Sequence, residues 1–309
     1  MTKIIILGGA GFVGRNLARV LKESKFSMKD VTVIDKDAKN IEYIKQFGAK
    51  TLVADLSEHG GWEKELVGKE FVINLTAQIS SYNPKDFVKN NVETARVLVA
   101  ALKRLNKSAK IIHFSSAAVL SVRKDDYAKT KKEQEEIITK SGFKNWTIMP
   151  SLMYGPTDTK NIGYLINFAR RFPFFPIPGT GEYVRQPIYI DDICKLVIGV
   201  MKNFPEKNVI VSVNGKEHLF FRDMIKTVLK ELGGIRFRVF LPIPIFKLLM
   251  AGYQGFIGKK QFTADQVDSL ASGDVFPDYP WWNEYKIRPT TFREGVGKMI
   301  KYIRGQKKK

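Results

Sequence analysis

Short runs of aliphatic and β-branched residues alternate, through the first half of the chain, with stretches whose apolar positions recur every three or four residues. Lys3–Leu7, Val31–Ile34, Thr51–Ala54, Phe71–Leu75, Lys110–Phe114 and Trp146–Met149 read as strands. Between them, Val13, Leu17, Val20 and Leu21 share one helical face, as do Val92, Ala95, Leu98, Val99 and Leu102. Strands that are apolar without interruption are buried on both faces. The alternation therefore predicts an α/β fold, a doubly wound parallel sheet with helices on both sides.

The texture changes after Pro150. Residues 172–187 are dense in Pro, Gly and aromatics and read as an irregular loop over a pocket. Asp191–Met201 is again helical, Val209–Val213 is a strand and Phe220–Leu232 is an amphipathic helix. Residues 235–258 are strongly apolar but interrupted by Pro242, Pro244 and Lys247. This divides the chain into 1–152 plus 187–214, carrying the sheet, and a smaller, discontinuous domain of 153–186 plus 215–309.

Composition narrows the chemistry. A single cysteine, Cys194, among 309 residues rules out a disulfide framework and thiolate-rich metal sites. The three histidines, His59, His113 and His218, show no ligand spacing, so no metal is expected. No G-x-S-x-G occurs. The net charge of +20 favours anionic partners, but aromatic and basic residues do not interleave as in nucleic-acid modules, so nucleic acid is not among the expected partners. The N-terminal glycines come too early for a signal peptide, and no uncharged apolar run reaches the ~18 residues of a spanning helix. The expected location is cytoplasmic.

Gly8, Gly11 and Gly14 form G-x-x-G-x-x-G between the first strand and the first helix. Glycine permits a tight turn and close approach of a pyrophosphate, while the helix N-terminus offers N–H groups and positive dipole. The second strand ends in Asp35, 21 residues beyond Gly14, near the spacing at which a carboxylate holds the adenosine ribose. A carboxylate repels a 2′-phosphate, which favours NAD over NADP, although Lys36 and Arg15 partly offset that charge. Tyr127 and Lys131 stand at i and i+4 on a helical segment and so share a face. An adjacent ammonium favours a phenolate and would bring Tyr127 toward working range. Ser116, at a strand end just upstream, offers a hydroxyl to the same substrate oxygen.

Together these residues resemble the extended short-chain dehydrogenase/reductase superfamily, and within it the NAD-dependent epimerase/dehydratase family. The resemblance covers nearly the whole chain and implies a Rossmann fold, with the first domain binding dinucleotide and the second binding substrate. It implies that Gly8, Gly11, Phe12, Val13, Gly14, Asp35, Lys36, Asp55, Leu56, Thr76, Ala77, Tyr127, Lys131 and Pro150 hold the cofactor, and that Ser116, Tyr127 and Lys131 are catalytic. Asn74–Ala77 is similar to the family's fourth-strand end, and Asn91-Val92 to its helix-opening Asn-Val. Tyr154-Gly155-Pro156 and Pro289–Gly295 are similar to further family segments. Arg185, ahead of PIYIDD, resembles the arginine that holds a substrate diphosphate.

There are departures. Met149 replaces an arginine, the Ser116–Tyr127 spacing of 11 is short, and Ala117-Ala118 stands where sugar-nucleotide dehydratases carry Asp-Glu. The last argues against a 4,6-dehydratase. Phe262–Val267 (FTADQV) is similar to the branch related to the complex I accessory NAD(P)-binding subunit.

The resemblance implies redox chemistry on a secondary alcohol of a nucleotide-diphosphate sugar, ending in epimerisation or dehydrogenation. The alternatives are a lipophilic alcohol at a membrane surface and a non-catalytic NAD(P)-binding subunit. Residues 232–264 hold five bases and no acid. A peripheral membrane contact through 235–258 competes there with a helix packed on the core. The core reading expects Phe246, Leu249, Phe256 and Ile257 to be mostly buried. A homodimer is a further expected partner. Cys194 and His113 read as core residues, and Trp281-Trp282 as packing anchors of the C-terminal lobe.

Overall fold

The structure is a computed structural model that describes residues 2–121, 124–257 and 274–306, the side chains of 250, 251 and 253–257 excepted. In chain order the first half comprises β1 (Ile4–Leu7), α1 (Phe12–Glu23), β2 (Val31–Asp35), α2 (Ala38–Lys45), β3 (Lys50–Val53), β4 (Phe71–Asn74), α3 (Pro84–Phe87), α4 (Thr94–Leu105), β5 (Lys110–Phe114), α5 (Asp126–Thr139) and β6 (Asn145–Pro150). Then come β7 (Met153–Tyr154), α6 (Ile162–Arg171), β8 (Phe174–Pro178), β9 (Val184–Arg185), β10 (Ile188–Tyr189), α7 (Ile190–Lys202) and β11 (Val209–Val213). The last are β12 (Leu219–Phe220), α8 (Phe221–Leu232), β13 (Phe237–Leu241), α9 (Ile243–Ile257), α10 (Trp281–Glu284) and α11 (Phe292–Gln306).

Seven strands form one parallel sheet in the order β11-β6-β5-β4-β1-β2-β3. All of β1 and β4 is buried, as continuous apolar runs in a doubly covered sheet require. The strand order reverses between β1 and β4. In open α/β sheets the crevice at such a reversal, beyond the strand C-termini, is where ligands bind.

Two compact units emerge. One comprises Met1–Ser151, Ile190–Val213 and Asp278–Arg288; the other comprises Leu152–Tyr189, Asn214–Pro277 and Pro289–Lys309. This division differs from the one read in the sequence chiefly in placing Asp278–Arg288 with the sheet and residues 187–189 with the other unit. Trp281 is fully buried there, in edge contact with Trp282, and Tyr285 packs against Gly199 of α7. The tryptophans thus anchor the sheet unit rather than a C-terminal lobe. The second unit has its own core, built from Tyr154, Ile166, Ile177, Met224, Phe292 and Val296 among others.

Residues 172–187 are not an irregular loop. Phe174–Pro178 pairs in parallel with Phe237–Leu241, and Val184–Arg185 pairs with Leu219–Phe220. Two-stranded ribbons tolerate Pro176 and Pro178 because each strand keeps an edge on which no N–H is needed. Pro242 and Pro244 do not break the apolar stretch either. They stand at the start of α9, where proline lacks only an N–H that the helix does not use. The expectation that this stretch is covered is corrected as well: Leu249 is 56% exposed and Leu248 73%, while Phe246 is half-buried. The side chains of Phe256 and Ile257 and all of Phe262–Val267 lie outside the described residues.

Candidate active site

The glycines of the first turn have different reasons for being glycine. Gly8 adopts φ +70°, and a Cβ there would lie 2.9 Å from the Thr76 backbone nitrogen. At Gly14 a Cβ would fall 2.1 Å from the Gly9 carbonyl oxygen. These two let the turn form and let α1 pack on β1. Gly11 has ordinary φ −70°, and a Cβ there would meet only the Gly8 carbonyl oxygen, at 3.5 Å. Internal packing does not require glycine at 11, where a Cβ would otherwise project into open space. Gly11 caps α1 without a side-chain acceptor, and no acid stands in the first turn of Phe12, Val13 and Gly14. That combination fits a pyrophosphate approaching the backbone.

Asp35 ends β2 and reaches back to the loop, one carboxylate oxygen accepting from the Ala10 amide at 2.9 Å and the other from the Asp37 amide at 3.0 Å. It thereby shapes the turn. Lys36 points to Asn90 Oδ1 at 2.6 Å, and the Arg15 guanidinium lies 5.9 Å from the Tyr43 ring centroid. Asp55 lies after β3 with Leu56 buried behind it. Burial raises the Asp55 carboxyl, but hydrogen bonds from Ser57 and Lys89 outweigh this and hold it at about 2.

At the switch point the ends of β4 and β5 meet α5. Thr76 is buried against Gly8, while Ala77 is exposed. Pro150, buried, ends β6 opposite Val213. Ser116 accepts from the Ala118 amide at 3.2 Å and stands beside Tyr127, whose pKa it lowers. Its neighbour Ser115 turns inward and donates to Glu135 Oε2 at 2.7 Å, so only one of the two serines belongs to the site. Tyr127 is half-buried on α5 and Lys131 is fully buried one turn further on.

One expectation is corrected. Burial raises the Tyr127 phenol, neighbouring Ser116 lowers it, the Asp125 charge raises it further, and Lys131 is not among the groups that set it. The Lys131 ammonium is instead directed to the Phe114 carbonyl at 2.7 Å, Gln134 Oε1 at 2.5 Å and the Thr76 carbonyl at 3.4 Å. Burial brings its pKa down to about 7, with Glu135 opposing.

Asn91 lies in a wider, π-type turn at Val88–Glu93, between α3 and α4. Its side chain accepts from the Gln78 amide at 2.6 Å and donates to Thr130 Oγ1 at 2.9 Å, tying the loop after β4 to the helix that carries Tyr127 and Lys131. Gln134 had no sequence signal beyond its position three residues after Lys131.

Arg185 lies in the second unit, half-buried on β9, with NH1 donating to the Val184 carbonyl at 2.8 Å. Burial lowers its pKa and Asp274 opposes that shift. His59, read as unpartnered, has Glu63 Oε1 2.5 Å from Nδ1, with Arg104 on the other carboxylate oxygen. Among the described residues no three His, Cys, Asp or Glu side chains converge as metal ligands. Cys194 is buried on α7.

A family model described as "NAD dependent epimerase/dehydratase family" matches residues 4–213. The chain belongs to this family. It is thus an enzyme of a family whose cofactor is NAD. Similar proteins include the UDP-glucose 4-epimerase of Mycoplasma genitalium, 28% identical over 62% of this chain and 69% of that one. Ceramide reductase of Caulobacter vibrioides is 24% identical over 63% of this chain, and the match spans 59% of that protein's length. The fold is that of a UDP-glucose 4-epimerase from Thermotoga maritima solved with UDP-glucose, with TM-score 0.78 and 19% identity over 99% of each chain. No helix among the described residues is long and apolar enough to cross a membrane.

Proposed function

We propose that the chain transfers a hydride between NAD and the carbinol carbon of a secondary alcohol, the substrate being a nucleotide-diphosphate sugar. The observation that carries this reading is the placement of Ser116 beside Tyr127 at the switch point, with Lys131 buried one helical turn along. A binding-only subunit would have no use for that arrangement. When bound at the glycine loop, NAD supplies the hydride acceptor and donor. The proton is the task of the chain's own residues. Tyr127, raised by burial, holds its proton at neutral pH and hands it to a ketone oxygen as hydride reaches the carbon. Ser116 steadies that oxygen, and Lys131 is the cation one helical turn from the phenolate left behind. In the reverse direction Tyr127 takes the hydroxyl proton. A ketone that turns over in the site and takes the hydride back gives epimerisation; one that leaves gives dehydrogenation. Arg185 is the proposed diphosphate ligand, through its guanidinium fork. The similarity to two UDP-glucose 4-epimerases supports the substrate class.

The test is Tyr127→Phe, assayed with a panel of UDP-, GDP- and dTDP-sugars chosen by thermal shift. NAD binding is expected to survive and turnover to fall ~10²–10⁴-fold. Full turnover by the variant would refute the assignment.

One observation favours a second reading, a lipophilic alcohol taken at a membrane surface. In the second unit Phe174 and Phe237 stack at 5.8 Å, both more than half exposed, and the chain continues through exposed Phe240, Ile245, Leu248 and Leu249. Arg236, Arg238 and Lys247 accompany them, with no acid between 232 and 264. Apolar surface among bases suits an anionic bilayer. The likeness to ceramide reductase points the same way. Sedimentation with phosphatidylglycerol vesicles, abolished in Leu248→Ser/Leu249→Ser, together with no stabilisation by any nucleotide sugar, would put this reading first.

A further inference from the structure

Lys131 is gripped from inside the first unit by a chain of side chains that all donate in one direction. Its ammonium donates to Gln134 Oε1 at 2.5 Å. The Gln134 amide nitrogen donates to Thr76 Oγ1 at 2.9 Å and to the Thr76 carbonyl at 3.2 Å, which fixes the amide oxygen toward the lysine. The Thr76 hydroxyl donates to Asn74 Oδ1 at 2.8 Å. Asn74 Nδ2 faces His113 Nδ1 at 3.3 Å. An amide NH₂ only donates, so Nδ1 is the acceptor and the imidazole is neutral, its proton on Nε2. Burial together with the Lys131 charge pushes the His113 pKa well down, which agrees. Gln134 and His113 are completely buried, and Asn74 and Thr76 nearly so.

We propose that Gln134 is a positioning residue for Lys131: its amide oxygen, oriented by Thr76 and Asn74, fixes where the ammonium sits and favours its charged form against burial. The chain is directional. Each acceptor in it presents its negative end toward the lysine side, so the dipoles add at the ammonium. A neutral lysine would lose that alignment at its first link. The ionisable groups facing Lys131 are Glu135, itself held by Ser115 and Lys132, and neutral His113. Neither contributes the short contact that Gln134 makes. The Phe114 and Thr76 carbonyls take the other two donors, so the three N–H groups have three acceptors and one geometry.

The inference rests on Lys131 belonging to the reacting trio, but its test is read on the lysine itself. The Lys131 signal in ¹³C- and ¹⁵N-lysine NMR spectra, assigned by its loss in Lys131→Met, is titrated in the full-length protein. The near-isosteric Gln134→Glu adds a negative charge at the contact and should raise the titration midpoint by at least about tenfold in proton affinity. Gln134→Met should lower it, and Thr76→Val, which frees the amide to turn, should lower it too. The pH dependence of NAD binding by calorimetry should move in the same opposite directions. A merely structural role would move all three variants the same way or not at all, and either result overturns the inference. Midpoints that move as stated while turnover ignores them would uphold the positioning role and count against the trio.

Discussion

Gly11 and Gly14 are three residues apart in one turn, and the structure gives them separable roles. At Gly14 the alanine methyl would lie 2.1 Å from the Gly9 carbonyl oxygen, a backbone atom, so α1 must retreat from the glycine turn by about 1.3 Å to restore ordinary contact. Overpacking of this kind costs ~1–3 kcal/mol, and a rigid backbone partner places it at the upper end. For a unit of this size that is a drop in Tm of roughly 6–12 °C. At Gly11 the methyl meets nothing closer than 3.5 Å and the backbone is at φ −70°, so the gain in chain stiffness of ~0.4–1 kcal/mol roughly offsets the poorer cap. Gly11→Ala should therefore melt within a few degrees of the parent. The methyl does occupy the space in front of the α1 N–H groups, where a pyrophosphate would lie. NAD affinity should fall at least tenfold, ~1.4 kcal/mol. Differential scanning fluorimetry reads the stability and titration calorimetry the binding. Gly11→Ala with parental NAD affinity would mean that the loop is a packing turn and the cofactor contacts lie elsewhere.

Two further outcomes follow from charge. Asp35→Ala should narrow the preference for NAD over NADP, measured as the ratio of dissociation constants, because the group that repels a 2′-phosphate is gone; an unchanged ratio would remove Asp35 from the ribose site. Lys131 titrates near 7 when folded and near 10.5 when unfolded, so between those values the unfolded chain binds more protons and stability rises with pH. The parent should therefore gain Tm relative to Lys131→Met between pH 7 and pH 9, and parallel curves would show that the lysine is not held in a depressed state.

The sheet was legible because its strands are buried on both sides and so are spelled as unbroken Ile, Val and Phe. The glycine turn, Asp35 and the Tyr127–Lys131 spacing were legible because each depends on residues close in sequence. What escaped depends on partners far along the chain. Phe174–Pro178 forms a strand only because Phe237–Leu241 lies beside it, and no local pattern announces a parallel pair with two prolines in it. The orientation of Lys131 follows from Gln134, whose amide is set by Thr76, 58 residues earlier. Reading Lys131 with Tyr127 alone gave the right face of the helix but the wrong first partner for the ammonium. The exposure of Leu248 and Leu249 escaped for a different reason, since an apolar helix reads the same whether it is covered or bare.

The segment Asp278–Arg288 has a bearing on how the protein is made. The chain changes unit after residues 151, 189, 213, 277 and 288, so the unit that holds the sheet is not a contiguous stretch. The strand at one sheet edge, β11, is supplied after residue 208, and the buried Trp281 and the Tyr285 that packs on Gly199 arrive later still. A ribosome adds ~5–20 residues each second. For many seconds the nascent chain therefore carries the glycine loop and the helix of Tyr127 and Lys131 on a sheet whose side is not yet closed. Truncation before Asp278 would leave the sheet unit without Trp281 and Tyr285.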